Sequence, residues 1–494
     1  MAAFDRRTLL QLFLAAGTAR LIGGAAPAAA ATGFKFGPSE PFSYDWLKRY
    51  ARALAAGPYE APPRPDPSIV SKIDYDEHGK LRFRKEFSLY RDGAFPISFQ
   101  HVGMYFPKTV RMHAIDGATA REVLYDPTYF TVGNDHVAAG LSQEPSAFAG
   151  FWVHEPPRKG DLDKVEPWAT FLGASYFRGV GELGQVGLSA RGIALAPGGA
   201  SPEEFPDFVA YWFEPARSEN DPVTVYALLN GPSVAGAYRF LLRRTSGVVM
   251  DIEASIHPRR TLERLGLAPL TSMYWFSETD RRTMVDWRPE VHDSDGLAMW
   301  TGSGERIWRP LNNPPHIAIS SFQDSRPRGF GLSQRDRNFD HYLDGVKYDK
   351  RPSAWVEPVG DWGSGVVQLI EIPTDDEIHD NICAMWIPDA PHGAGSHIEI
   401  AYRLHWLADE PYPGRLGRCV ATRLGRGGQP GAKRPEGARK FMLEFLGGPL
   451  AQLPPGTLPE PVLSASRGQF SYILPEAVPD DVPGHWRVQF DLTA

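Results

Sequence analysis

GVVMDIEASIH, Gly247 to His257, decides the fold class. Val248, Met250, Ile252, Ala254 and Ile256 alternate with Val249, Asp251, Glu253 and Ser255. A side-chain period of two puts the first set on one face of a strand and the second on the other, the pattern of a sheet with one buried face. Val223 to Leu229 (VTVYALL), Val366 to Ile372 (VVQLIEI) and His397 to Trp406 (HIEIAYRLHW) read the same way, with turn residues between them. Only Ser43 to Ala56 (SYDWLKRYARALAA) has helical spacing, with Trp46, Leu47, Tyr50, Ala51 and Leu54 on one face behind a Ser N-cap and Gly57-Pro58 as its stop. Strands at this density predict an all-β fold of antiparallel sheets in a large sandwich, and 49 glycines with 45 prolines suit its turns.

A chain of 494 residues exceeds one ordinary core. Ala408 to Gly414 (ADEPYPG) is polar and proline-bearing, so the boundary is expected there: a sandwich domain over 32–407, a linker over 408–416, and a second domain over 417–494. Runs at Arg418–Arg423, Phe441–Leu446, Ser471–Leu474 and Trp486–Leu492 predict a small immunoglobulin-like sandwich. The chain stops soon after the last run, so an incomplete sandwich, or one with an open edge, is the expectation. Between the first two runs, Gly425 to Lys440 is a basic loop without aromatics, read as a solvated connection.

Residues 1–31 read as an export signal: Arg6-Arg7, the apolar run Leu9 to Ala16, and an A-x-A site within Ala25 to Ala31. Asp5-Arg6-Arg7-Thr8-Leu9-Leu10 resembles a twin-arginine signal, with an ordinary secretory signal as the alternative. No other run nears the roughly 20 apolar residues that span a bilayer, so no stable membrane insertion is expected and the mature protein belongs in the periplasm. A net charge of −7 argues against nucleic acid and anionic membrane, and leaves open a polymer held by hydrogen bonds and stacking. Cys383 and Cys419 are too few for a disulfide framework.

Two polar stretches carry the chemistry. Arg288 to Pro314 gathers His292, Asp293, Asp295, Trp300, Glu305, Trp308 and Arg309 in a segment broken by Gly296, Gly302 and Gly304, read as an irregular surface loop. Asp293-Ser294-Asp295-Gly296 starts like a calcium loop, but Leu297, Ala298 and Gly304 stand where such a loop needs ligands or glycine. There is no H-E-x-x-H, C-x-x-C, G-x-S-x-G or phosphate loop, so neither metal nor cofactor is expected. Glu371 to Trp386 (EIPTDDEIHDNICAMW) places Asp380 where a loop meets an apolar run. A carboxyl partly withdrawn from water holds its proton to higher pH, as a general acid must.

FLGASYFR (Phe171 to Arg178), GLSARG (Gly187 to Gly192), EEFPDF (Glu203 to Phe208), APLTSM (Ala268 to Met273), HDSDGLAMW, RPLNNP, RPSAWVEP (Arg351 to Pro358) and HDNICAMW (His379 to Trp386) together resemble the periplasmic glucan biosynthesis G/D family, nearer its D branch. The resemblance runs from about Phe34 to the last strands. It implies a galactose-mutarotase-like sandwich followed by an immunoglobulin-like domain, acting on osmoregulated periplasmic glucans with a β-1,2-linked glucose backbone. D-type members are similar to inverting endo-β-1,2-glucanases. By that resemblance Asp380 is the general acid and Asp293 the base, served by a relay. The expectation is that both face one wet cleft, in which Trp300, Tyr342, Trp355 and Trp386 stack on glucose rings and Arg309 and Glu357 hold hydroxyls. Hydrolytic relatives carry an aromatic-bearing loop where this chain has Gly425 to Lys440. A non-hydrolytic glucan-binding or branching platform is therefore the alternative, and a homodimer stays open.

Overall fold

The computed structural model describes residues 33–133, 135–158, 164–199, 202–279, 285–454 and 456–493; the expected export signal lies outside them. The chain divides into two compact units between Pro411 and Tyr412. In the first unit, a twelve-stranded sheet and a ten-stranded sheet form a β-sandwich. Gly247 to His257 lies in the strand Val248–Pro258, which pairs antiparallel with Val234–Arg244 on one side and Ile398–Leu407 on the other. Its even-numbered apolar residues from Val248 to Ile256 are buried in the core, as period two requires. The first sheet is antiparallel except for one pair, Arg111–Asp116 beside Asp207–Glu214, which run parallel.

The second sheet orders Ala318–Ser325, Ser364–Glu371, Ile382–Pro388, Leu265–Ser272, Ser189–Arg191, Tyr176–Gly179, Pro167–Leu172, Phe148–His154 and Ile97–His101, and its tenth strand, Ile193–Leu195, also pairs with Leu265–Ser272. One register row on its inner face runs Phe151, Phe171, Phe177, Ala190, Leu270, Ala384 and Leu369, all in the core. The first sheet answers with Phe213, packed 4.7 Å from Phe151, and Phe240, 5.2 Å from Phe171. These edge-on contacts fill the space between the layers and add about 0.5–1.5 kcal/mol each beyond area burial.

The helix Tyr44–Ala56 is capped by Ser43, whose Oγ accepts from the Trp46 amide at 3.1 Å, and ends at Gly57. It lays Leu47 and Ala51 on Ala210, Trp212, Leu228 and Ala237 of the first sheet's outer face. The stretch Arg288 to Pro314 differs from its reading as a loop. It contains the strands Gly296–Trp300 and Arg306–Pro310, a hairpin at the end of the first sheet. An edge strand tolerates polar residues that a central one would not, and the Trp308 ring lies directly on Gly296, where a Cβ would meet it at 2.4 Å. In the second unit, Arg418–Arg426, Ala438–Leu446, His485–Thr493 and Gln469–Ala477 form a single four-stranded antiparallel sheet among the described residues. The turn of the basic hairpin is tied down by buried Asp491, which accepts from the Gly428 amide (2.7 Å) and pairs with Lys440 (2.8 Å).

Candidate functional site

The outer face of the second sheet is polar yet buried. One register row beyond the core runs Ser98, Trp152, Thr170 and Arg178, then continues through Ser189, Thr271 and Cys383. Arg178 Nε bridges the middle of that row, donating to Ser189 Oγ at 2.6 Å. Arg191, one step along, donates from Nε to Thr271 Oγ1 (2.8 Å) and from a terminal nitrogen to Glu203 (2.6 Å). Its guanidinium lies 5.0 Å from the Tyr176 ring and 5.4 Å from that of Phe205. The face is covered in part by Arg351-Pro352, packed so closely on Gly181 that a Cβ there would meet Pro352 at 2.5 Å. Burying cations on such a face costs several kcal/mol per charge unless acids or ligand groups compensate. Polar residues in this density on a buried sheet face make it the candidate site.

Both predicted acids border this region. Asp293 donates its amide to the Met273 carbonyl at 2.9 Å. On the opposite edge of the same segment, Asn381 accepts from the Tyr274 amide at 2.8 Å and donates to the Tyr274 carbonyl at 2.9 Å. Asp293 and Asn381, the residue after Asp380, therefore hold the segment Met273–Tyr274 from two sides. Asp380 is half-buried, and its charge reaches Tyr176, Arg178 and Cys383. Asp293 differs from the expectation of an open cleft: it is fully buried, with Arg351 Nε 3.3 Å from its Oδ1. Burial lowers the pKa of both Arg178 and Arg351, and Arg178 also feels the Arg351 charge. The Cys383 thiol, buried in the same row, is pushed up to about 11.

The expected stacking rings fare differently from one another. Trp355, Trp386 and Tyr342 have at most 2% of their surface exposed, so none offers a face to a sugar. Trp355 packs on Gly329 and Trp386 on Gly365, where added Cβ atoms would come within 2.5 and 2.6 Å of the rings. Tyr342 accepts from Gln334 Nε2 at 2.9 Å and sits edge-on to His292. Trp300 is half-exposed at the edge of the first sheet, but Arg306 covers its ring at 3.9 Å. Arg309 gives both terminal nitrogens to buried Glu371 at 2.8 and 2.6 Å, and Glu357 pairs with His405 at 3.0 Å. The residues missed from sequence are Tyr176, Arg178, Arg191, Phe205 and Arg351. Their signal was an arginine inside each of the apolar motifs FLGASYFR and GLSARG.

Behind Asp293, buried His292 lies between Glu290 (Nε2, 2.7 Å) and the Gln334 side-chain oxygen (Nδ1, 3.1 Å). Two acceptors require both ring nitrogens to carry protons. Burial works against that charge, but the Glu290 hydrogen bond and the Asp295 carboxylate outweigh it and raise the pKa. Glu290, His292 and Asp295 do bring ligand atoms within 4.8 Å of one another, as do Glu278, Glu290 and His341. With both His292 nitrogens engaged, the inner cluster reads as a hydrogen-bonded ion triad. A second hub, Arg288, binds Asp286, Asp344 and Glu377 and fixes the loop leading to Asp380. The open cavity of about 670 Å³ lined by Phe95, Glu155 and Arg244 touches neither acid.

Comparison with known proteins matches residues 42–494 to the family model described as "Periplasmic glucan biosynthesis protein, MdoG". Glucans biosynthesis protein D 2 of Ralstonia nicotianae is 56% identical over 99% of this chain and 92% of its own length. Glucans biosynthesis protein D of Xanthomonas campestris pv. campestris is 46% identical over 94% of this chain and 87% of its own length. Its namesake in Xylella fastidiosa is 46% identical over 93% and 85%. No described helix is long and apolar enough to cross a membrane. A match of this extent, over both units and every motif of the polar sheet face, makes the chain a member of the periplasmic glucan biosynthesis (MdoG) family, similar to its D proteins.

Proposed function

We propose that this protein cleaves the β-1,2-linked backbone of periplasmic glucans with inversion, in the periplasm, using Asp380 as general acid and Asp293 as a remote base. The observation that supports this reading is that Asp293 and Asn381, the residue next to Asp380, both bond to Met273–Tyr274. An inverting enzyme separates its carboxyls by roughly 6.5–9.5 Å, and by more when a relay stands between base and water. In this reading Asp380, which is half-buried, protonates the leaving glycosidic oxygen. Asp293, shielded from solvent, serves the attacking water only through a group that touches both. Incubation of linear β-1,2-glucan with the protein tests the reading: chain shortening is expected, lost in Asp380→Asn. Unshortened glucan with the unaltered protein overturns it.

A second reading, a glucan-binding or branching platform without hydrolysis, is favoured by the burial of Asp293 against Arg351. It predicts glucan affinity with unchanged chain length, and binding that survives Asp380→Asn.

A further inference from the structure

The geometry points to Phe205 as the aromatic platform on which a sugar ring of the bound glucan stacks, one layer of a fixed Tyr176–Arg191–Phe205 pile beside Asp380. The inference rests on the glucan reading above and names a contact that reading lacks. Every glucan site needs flat apolar surface, and the Trp355, Trp386 and Tyr342 rings are closed to it. Phe205 has 38% of its surface exposed. Its inner face rests on the Arg191 guanidinium, which rests in turn on Tyr176.

The pile is rigid for identifiable reasons. Arg191 is almost wholly buried, and Glu203 and Thr271 fix its nitrogens, so the guanidinium plane cannot swing. Glu203 is two residues from Phe205 and anchors the loop that carries the ring. A ring held in place before binding loses little freedom when a ligand covers it, the condition under which stacking adds most affinity. Thr271 pairs in register with Cys383, three residues from Asp380, and Tyr176 lies within reach of the Asp380 charge. Through Arg191 and Thr271 the pile is thus joined to the strand that begins two residues after Asp380. A pyranose ring presents its axial C–H groups to such a face and buries them against it.

The test uses the full chain carrying Asp380→Asn, so that binding is read without cleavage. Affinity for linear β-1,2-glucan is measured by calorimetry for this parent and for the same chain with Phe205→Ala, Phe205→Trp or Phe205→Tyr. Phe205→Ala should weaken binding about tenfold, the scale of one lost aromatic contact, while the aromatic variants keep it. Thermal midpoints should stay near that of the parent, because the changed face is exposed. Undiminished affinity in Phe205→Ala overturns the inference alone, as does an equal loss in all three variants. A parent that binds no glucan overturns the glucan reading and this inference with it.

Discussion

Arg351 Nε stands 3.3 Å from Asp293 Oδ1, and the two side chains are 2% and 0% exposed. Arg351 also donates to the Val186 carbonyl, so it ties the strand start near Ser353 to the loop before Ser189. Removing one partner of such a pair leaves the other charge buried and uncompensated, at a cost of about 3–5 kcal/mol. Asp293→Asn should therefore lose that much stability in urea unfolding, apart from any effect on activity. Adding Arg351→Met to it should recover part of the loss; a fully additive double variant would show that the two groups do not interact.

Arg309 and Glu371 join the two sheets by a bidentate ion pair, Arg309 from the edge hairpin and Glu371 from the end of Ser364–Glu371. Lysine keeps the charge but not the fork. Arg309→Lys should cost roughly 1–3 kcal/mol of stability by leaving part of buried Glu371 unsatisfied. Glucan affinity should be unchanged, since the guanidinium faces the carboxylate. A drop in affinity at constant stability would instead restore Arg309 as a sugar ligand.

Buried histidines set the response to acid. Burial pulls His101 and His113 down to about 4 and His154 to about 3. The unfolded chain takes up these protons near pH 6.5 and the folded one does not. Stability they contribute is thus complete above pH 6.5 and falls as pH drops toward 4, by roughly 2 kcal/mol per histidine at pH 5. His292 acts oppositely: its raised pKa stabilises below pH 6.5, and that share is lost as pH rises through the folded value. Urea midpoints between pH 7 and 4.5 should fall steeply, and His101→Gln should flatten the slope. A pH-independent midpoint would mean these rings are already charged in the fold.

Trp386 and Trp355 belong to the packing. Trp386→Phe should cost about 2–3 kcal/mol by opening a cavity over Gly365, with glucan affinity intact. Calorimetric binding beside thermal unfolding separates the two effects; a loss of affinity without a loss of stability would return Trp386 to the binding surface.

The strands were legible because period two survives wherever one face meets a core, as Gly247 to His257 shows. The helix was legible because Ser43 and Gly57 punctuate it. Arg178 and Arg191 were not, since Tyr176-Phe177-Arg178 reads as ordinary alternation with a solvated arginine. Arg351-Pro352, more than 160 residues away, reaches this region, Pro352 packing on Gly181 and Arg351 acting on Arg178 by charge, and no local pattern encodes such neighbours. For the same reason sequence alone separates no platform from a plug: Trp386 and Phe205 both sit in polar-edged motifs, yet one is closed and the other open. Both carboxyls stood out in the sequence as candidates, but the depth of Asp293 depends on the distant Arg351.

Proton NMR of linear β-1,2-glucan, followed from the first minutes of incubation, tests the central claim most directly. The account predicts reducing ends that appear first as the α-anomer, the mark of inversion, and none with Asp380→Asn. First appearance of the β-anomer, or α-anomer still formed by Asp380→Asn, would contradict it.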